Sequence, residues 1–316
     1  MITYRPMNPE TDLPALAALI NLTTVVSVTP KLLEEWRLNA DPGRLRQQLV
    51  AVDERDSVVG MGDCMRDPWT PPGLFWIDVA VAPEYRQQGI GTALYNASEA
   101  WAREQGAVIL GADVRDDLED SLDFATSRFF IEVQHTAEYC LNLADFDPAA
   151  FAPRIASLAA EGFDLLSFEA AGDTRDHRKA VYKLHKRVIV DDPDFTGEHL
   201  PFAEYSKRIF ESSWSRADEL IVALRGAAWI GYAQLADFPD SSTAMLSYAG
   251  VEKAFRGRGL ATALIALALT HAKARGVISV YLGAEEVDDL VLALVARFNM
   301  AADVGSWRML RKLNVE

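Results

Sequence analysis

Cysteine is scarce: the 316-residue chain has two, Cys64 and Cys140. Two are too few for a disulfide framework in a chain this long. They form no CxxC pair, and no Cys/His cluster has metal-ligand spacing, so no metal is expected. Long apolar runs are missing as well. The richest, Leu260 to Leu269, stops at Thr270-His271, well short of the ~20 residues that span a bilayer. The opening Met1-Ile2-Thr3-Tyr4-Arg5 has no basic segment leading into an apolar one, so no secretory signal is expected and the cytoplasm is the expected location. Positive charge is in deficit. Lys plus Arg number 31 against 46 Asp plus Glu, a formal charge of −15, which argues against a nucleic-acid or anionic-membrane partner. Cationic or neutral small molecules suit that balance better.

Half of the residues are hydrophobic, enough for a core, and the length suggests two domains of ordinary size. Self-similarity supports that division. Tyr85-Arg86-Gln87-Gln88-Gly89-Ile90-Gly91-Thr92-Ala93-Leu94 resembles Phe255-Arg256-Gly257-Arg258-Gly259-Leu260-Ala261-Thr262-Ala263-Leu264, 170 positions on. Each segment follows an apolar run, Leu74 to Val81 or Met245 to Val251, that reads as a strand. Each opens a helix that ends at a glycine, Gly106 or Gly276. The spacing puts Ile90, Leu94, Ala97 and Trp101 on one helical face, with Leu260, Leu264, Leu267 and His271 as counterparts. A further strand follows each helix, and a hairpin precedes each unit: Leu49–Val52 with Ser57–Met61, then Leu220–Leu224 with Ala227–Tyr232. Asp147-Pro148 and Ala152-Pro153 interrupt the pattern between the copies.

A strand feeding a glycine-marked turn that opens a helix has a specific use. The first N–H groups of the helix lack internal partners and carry the positive end of its dipole. Small residues there let a diphosphate approach the backbone. A Walker loop needs Gly-Lys-Ser/Thr, and neither copy has the lysine. A dinucleotide fingerprint fits poorly, because Leu94 stands at its third glycine and Ala261 at its second.

Val81-Ala-Pro83-Glu-Tyr-Arg86-Gln-Gln-Gly89-Ile-Gly91 resembles the acyl-CoA loop of the GCN5-related N-acetyltransferases (GNAT), and Arg256-Gly-Arg-Gly259-Leu-Ala261 is similar to the variant ending in alanine. Ile2-Thr-Tyr-Arg-Pro6 with Asp12-Leu-Pro14 resembles that family's first strand and helix. Two such units in one chain resemble the tandem members, of which the mycothiol synthase type is one. The resemblance implies an α/β (α+β) fold of two GNAT-like domains, 1–148 and 160–316. Each would be a mixed, mainly antiparallel sheet flanked by helices, with a splayed strand pair. It implies acetyl-CoA as co-substrate and a small amine as acceptor. Pantetheine would meet Val79 and Val81 in the first copy, Ala249 and Val251 in the second. The diphosphate would meet Arg86, Gln87, Gln88, Gly89, Ile90, Gly91 and Thr92, or Arg256, Gly257, Arg258, Gly259, Leu260, Ala261 and Thr262.

The family's usual acid, a tyrosine shortly before Gly-Phe on the last helix, is not kept. Ala125 and Val295 stand there, with Phe129 in place of the glycine. Tyr139 or Tyr281 is a candidate substitute from elsewhere, although strand tyrosines are usually half-buried packing residues. Asp78, a carboxylate inside an apolar strand, is a candidate base or ammonium anchor. Glu198 and His199 follow a polar loop where family acceptor sites form. His177 and His185 lie in a basic helix and read as surface residues, while Tyr205 and Trp214 read as pocket lining or helical core. If one unit alone is catalytic, loop charge favours the second, where Arg256 and Arg258 stand against Arg86 and two glutamines. Non-enzymatic acyl-CoA binding is the alternative that the missing tyrosines raise. A third reading makes one unit purely structural.

Overall fold

The computed structural model describes residues 1–24, 27–191, 197, 199–238, 242–285 and 289–313. In chain order they form β1 (Thr3–Pro6), α1 (Leu13–Ile20), α2 (Pro30–Leu38), β2 (Leu45–Val52), β3 (Val58–Arg66), β4 (Leu74–Val81), α3 (Ile90–Glu104), β5 (Ile109–Arg115), α4 (Glu119–Thr126) and β6 (Ile131–Asn142). Then come α5 (Ala152–Ala160), β7 (Asp164–Ser167), α6 (Phe168–Ala171), α7 (Arg175–Val188), α8 (Phe202–Phe210), β8 (Ser215–Arg225), β9 (Ala228–Asp237), β10 (Thr243–Val251), α9 (Leu260–Arg275), β11 (Ser279–Ala284), α10 (Asp289–Phe298) and β12 (Ala301–Lys312). No helix among the described residues is long and apolar enough to cross a membrane.

The chain packs as two compact units, Met1–Ala137 with Val304–Glu316, and Glu138–Asp303. This differs from the expected division at 148/160 in one respect: each unit takes its last strand from the far side of that boundary. In the first unit, Ser306 to Lys312 of β12 pair antiparallel with Arg115 to Ile109 of β5. Met309 and Leu313 enter the core formed by Phe75, Tyr95 and Leu110. In the second, β6 is the neighbour of β11. Strand pairing and burial follow side-chain alternation and are blind to chain order, so proximity in sequence did not reveal this.

Each unit is a mixed, mainly antiparallel α/β sheet. The first runs β1-β2-β3-β4-β5, with only β4–β5 parallel. The second runs β7-β8-β9-β10-β11, with only β10–β11 parallel. On β4, Phe75 and Ile77 are buried in the core that α3 covers, while Trp76 and Asp78 alternate to the other face. At Gly62 a side chain would come within 3.1 Å of the Ser98 hydroxyl and 3.3 Å of Leu94, so its absence lets α3 lie close on β3. That contact sets the helix's buried face as Ile90, Leu94, Tyr95, Ser98 and Ala102. Of the expected face, Ala97 is exposed and Trp101 half-buried. α9 buries residues all round, from Leu260 to Ala272.

Arg5 and Asp12 join β1 to α1. The guanidinium donates to both carboxylate oxygens, at 2.6 and 3.0 Å, and the N–H of Asn8 adds a third bond at 2.7 Å. This pair holds the Asp12 carboxyl down at about 2.

Candidate active site

The parallel pair of each unit parts partway along. β4 and β5 are in register from Leu74–Ile109 to Trp76–Gly111 only, although β4 continues to Val81 against β3. β10 and β11 part after Met245–Tyr281. In both units the freed strand leads through one 3₁₀ turn into the loop, and the loop opens the helix.

The two loops share a backbone. Gln87 and Gly257 adopt φ of 60° and 75°, and Gly89 and Gly259 adopt 80° and 66°. Left-handed residues at these two places in a turn direct loop N–H groups toward one side, the kind of geometry that cradles an anion. Elsewhere too the positive φ values recur 170 positions apart, at Asp56 and Gly226 and at Phe129 and Asn299. The position where the family carries glycine therefore keeps its left-handed conformation without the glycine. Arg86 and Arg256 also agree. Each donates from Nε to the carbonyl five residues back, Val81 at 3.0 Å and Val251 at 2.9 Å. Through Nε these arginines brace the turn.

In the first unit the splay opens a cavity of about 290 Å³. Asp78, Val79, Val81, Arg86, Gln87, Gly89, Gly91 and Thr92 all line it, so most of the expected first-copy residues meet there. Ile90 is buried in the core and offers the loop only its backbone. The Gln88 side chain folds back to the Glu84 carbonyl. The far wall is β5 from Ala112 to Arg115 together with α4, including Ser121, Phe124 and Ala125.

Asp78 is open to the cavity and stands directly across from Asp63 on β3. Confinement by the surrounding protein, followed by the charges of Asp63 and Asp113, pushes its carboxyl up to about 6, against the Val79 N–H and Arg46. Asp63 is itself held by Arg46 at 3.0 Å and by Gln48 at 3.1 Å. Asp113 pairs with Arg308 at 3.2 Å. Asp78 is therefore the carboxylate of this face that a base role fits: accessible, and with a proton affinity near neutrality.

Sequence reasoning missed Arg128. Its guanidinium lies 3.4 Å from the centre of the Phe124 ring, and its Nη2 donates to the Thr92 hydroxyl at 2.8 Å in the first turn of α3. It follows α4, outside any motif. The only sequence signal was a cation standing three residues after the vacated tyrosine position.

The sequence matches the model of the acetyltransferase (GNAT) family over residues 14–129 and again over 187–299. The chain belongs to the GNAT family. No curated protein sequence matches it, so further comparison rests on solved structures. A tandem GNAT protein from the clavulanic acid biosynthesis pathway aligns with a TM-score of 0.77 at 17% identity, over 100% of both chains. A GCN5-related N-acetyltransferase from Sphaerobacter thermophilus aligns at 0.72 and 18% identity, over 100% of this chain and 97% of that one. A glucosamine N-acetyltransferase region of a fungal β-N-acetylglucosaminidase aligns at 0.70 and 17%, over 98% of this chain and 38% of that one. At such identities these relatives speak for the fold. As a GNAT acetyltransferase, the protein moves an acetyl group from acetyl-CoA to an amine acceptor.

The second GNAT unit fills the corresponding positions differently. Tyr248 stands where Asp78 does; it stacks on Tyr232 at 4.9 Å and meets His185 at 5.3 Å. His185 bonds the Tyr232 hydroxyl at 2.7 Å and contacts Tyr205, which is 2% exposed. The expectation that His185 is a surface residue is corrected here, as is that for His177, whose ring lies 5.3 Å from Trp229. Tyr205 is core rather than pocket lining. Val251 and Leu260 are buried, and Ala249 and Ala261 pack against the same core. Arg256 pairs with Asp191 at 2.6 Å, and Arg154 donates to the Arg258 carbonyl at 3.0 Å. Gly257 and Gly259 are exposed with the rest of that loop, as is Thr262 in part. His199 is half-buried and Glu198 lies outside the described residues. Tyr139 and Tyr281 are not in the wall of the first unit's cavity.

Proposed function

We propose that the first unit carries the acetyl transfer. The observation behind this reading is the cavity at its splayed strands, into which Asp78, the glycine loop and the first turn of α3 all open. Loop charge alone favours the second unit. There, however, Arg256 already has Asp191 as a counter-ion, and aromatic side chains occupy the place of the base.

The pantetheine arm of acetyl-CoA lies along Val79 and Val81 in the gap between β4 and β5, and the diphosphate sits on the amides from Gln87 to Thr92. The acceptor is a small primary amine entering on the face of Asp78. Asp78 takes a proton from the ammonium, and the freed nitrogen attacks the thioester carbon. The C–N bond forms, the C–S bond breaks, and the second proton that the nitrogen sheds passes to the departing thiolate. With alanine at 125, Ser121 one turn earlier on α4 is a hydroxyl that the cavity wall offers beside the vacated position. The two-unit architecture, with one unit working and one supporting, is the reading that likens this chain to tandem members of the mycothiol synthase type.

Gly91→Glu and Ala261→Glu distinguish the units. Both positions have negative φ, so the backbone is not strained, and at Gly91 a Cβ has ordinary contacts of 3.6 Å with Phe124 and Val81. With acetyl-CoA and a panel of primary amines, thiol release should vanish in Gly91→Glu and persist in Ala261→Glu. The reverse result would assign catalysis to the second unit.

A further inference from the structure

Arg128 has no role in the proposed chemistry, yet it is costly to hold where it is. It is half-buried in the cavity wall. Its hydrogen-bond partners are neutral: the Phe124 carbonyl at 3.0 Å, the Ser127 hydroxyl at 3.2 Å and the Thr92 hydroxyl at 2.8 Å. Among the described residues no carboxylate lies within 4.0 Å of it. One guanidinium face is covered by the Phe124 ring, with the Tyr95 ring at 5.2 Å. Burial is the main influence on its proton affinity, and it lowers it. A confined cation ordinarily has a counter-ion. Its Nη1 meets a last-turn carbonyl at the negative end of α4, while its Nη2 is held at the positive end of α3, where the potential favours an anion.

We infer that Arg128 is the side-chain cation that binds the diphosphate of acetyl-CoA, a role the loop motif would assign to Arg86. Arg86 spends its Nε on the Val81 carbonyl, as Arg256 does on Val251. The hydroxyl of Thr92 fixes the Arg128 fork at the third residue of α3, beside the amides that carry no intrahelical partner. Among the described residues the second unit has no cation at the equivalent position. Phe298 occupies the matching position and stacks on Phe151 at 5.0 Å. The inference rests on the first unit being the one that binds acetyl-CoA.

Calorimetric titration of the full chain with CoA and with dephospho-CoA tests it, because the two ligands share the diphosphate and differ in the 3′-phosphate. Arg128→Gln should weaken both by about ten- to a hundredfold, the range of a charge-assisted bond. Arg128→Lys should recover part of the loss, with the melting temperature of both variants unchanged. Unchanged affinity in Arg128→Gln would overturn the inference. So would a loss seen with CoA but not with dephospho-CoA, which would put the guanidinium on the 3′-phosphate. If the unsubstituted chain binds neither ligand, or loses neither in Gly91→Glu, the assignment of the first unit fails, and the inference with it.

Discussion

Asp63 and Asp78 face each other directly across β3 and β4, two carboxylates on one side of the sheet. Arg46 pairs with the first and not with the second, which meets the cavity with its carboxyl pushed up to about 6.

The pH profile should record that arrangement. Charged groups from four elements bear on Asp78: Asp63 on β3, Arg46 on β2, Asp113 on β5, and Arg308 on β12 through its pairing with Asp113. With its carboxyl near 6, kcat/KM should fall below about pH 6. Asp63→Asn removes one of the two charges that raise it, so the acid limb should move to lower pH. Asp78→Asn should lower kcat/KM by about 10²- to 10⁴-fold and abolish the limb.

Stability should respond to the same group. Asp78 is raised above its ordinary value of 3.8. Below that pH both the folded and the unfolded chain hold the proton, and nothing is lost. Between about 3.8 and 6 the unfolded chain ionises first, so stability falls as pH rises, and above about 6 the penalty is complete. Asp78→Asn should remove this descent in chemical denaturation at pH 4 to 8. An unaltered pH slope would argue that Asp78 ionises freely.

Asp12 works in the opposite sense. Its carboxyl is held at about 2 by Arg5, so its stabilising effect is present above 3.8 and is lost as pH falls through 2. Asp12→Asn should cost about 2 kcal/mol at pH 7 and nothing once both states are protonated. Denaturation midpoints at pH 7 and at a pH well below about 2 check this.

Phe129 holds φ of 66° with its side chain 79% exposed, so burial returns little for the strain. Phe129→Gly should stabilise the protein by about 1 kcal/mol. Asn299→Gly, at φ of 53°, should do less, because asparagine tolerates this region. Equal gains at both positions would mean that the aromatic ring is not the source of strain.

A fragment ending at residue 148 should not fold cooperatively. It lacks the partner of β5, the buried Met309 and Leu313, and Arg311, which bonds Tyr95 and Glu99. Appending residues 304–316 through a flexible linker should restore a cooperative thermal transition. A sharp transition in the unmodified fragment would contradict this.

The local pattern determined a great deal. β4 runs over the residues its alternation indicated, Leu74 to Val81, and α3 and α9 open where the small loop residues end. Both loops depend on residues that tolerate positive φ and on the free amides of a helix start, properties of a few consecutive residues that periodicity and spacing expose. Tertiary structure decided the rest, because it depends on what each side chain meets. The buried face of α3 was settled by a glycine on β3, and the last strand of each unit by pairing across a distance of sequence that carries no local signal. Arg256 and Arg86 look alike in the motif, yet among the described residues only Arg256 pairs with a carboxylate. Asp78 and Tyr248 stand 170 positions apart on equivalent strands. One opens into a cavity and the other is stacked among tyrosines, and that difference in surroundings, not the shared loop, separates a carboxylate facing a cavity from a packed core.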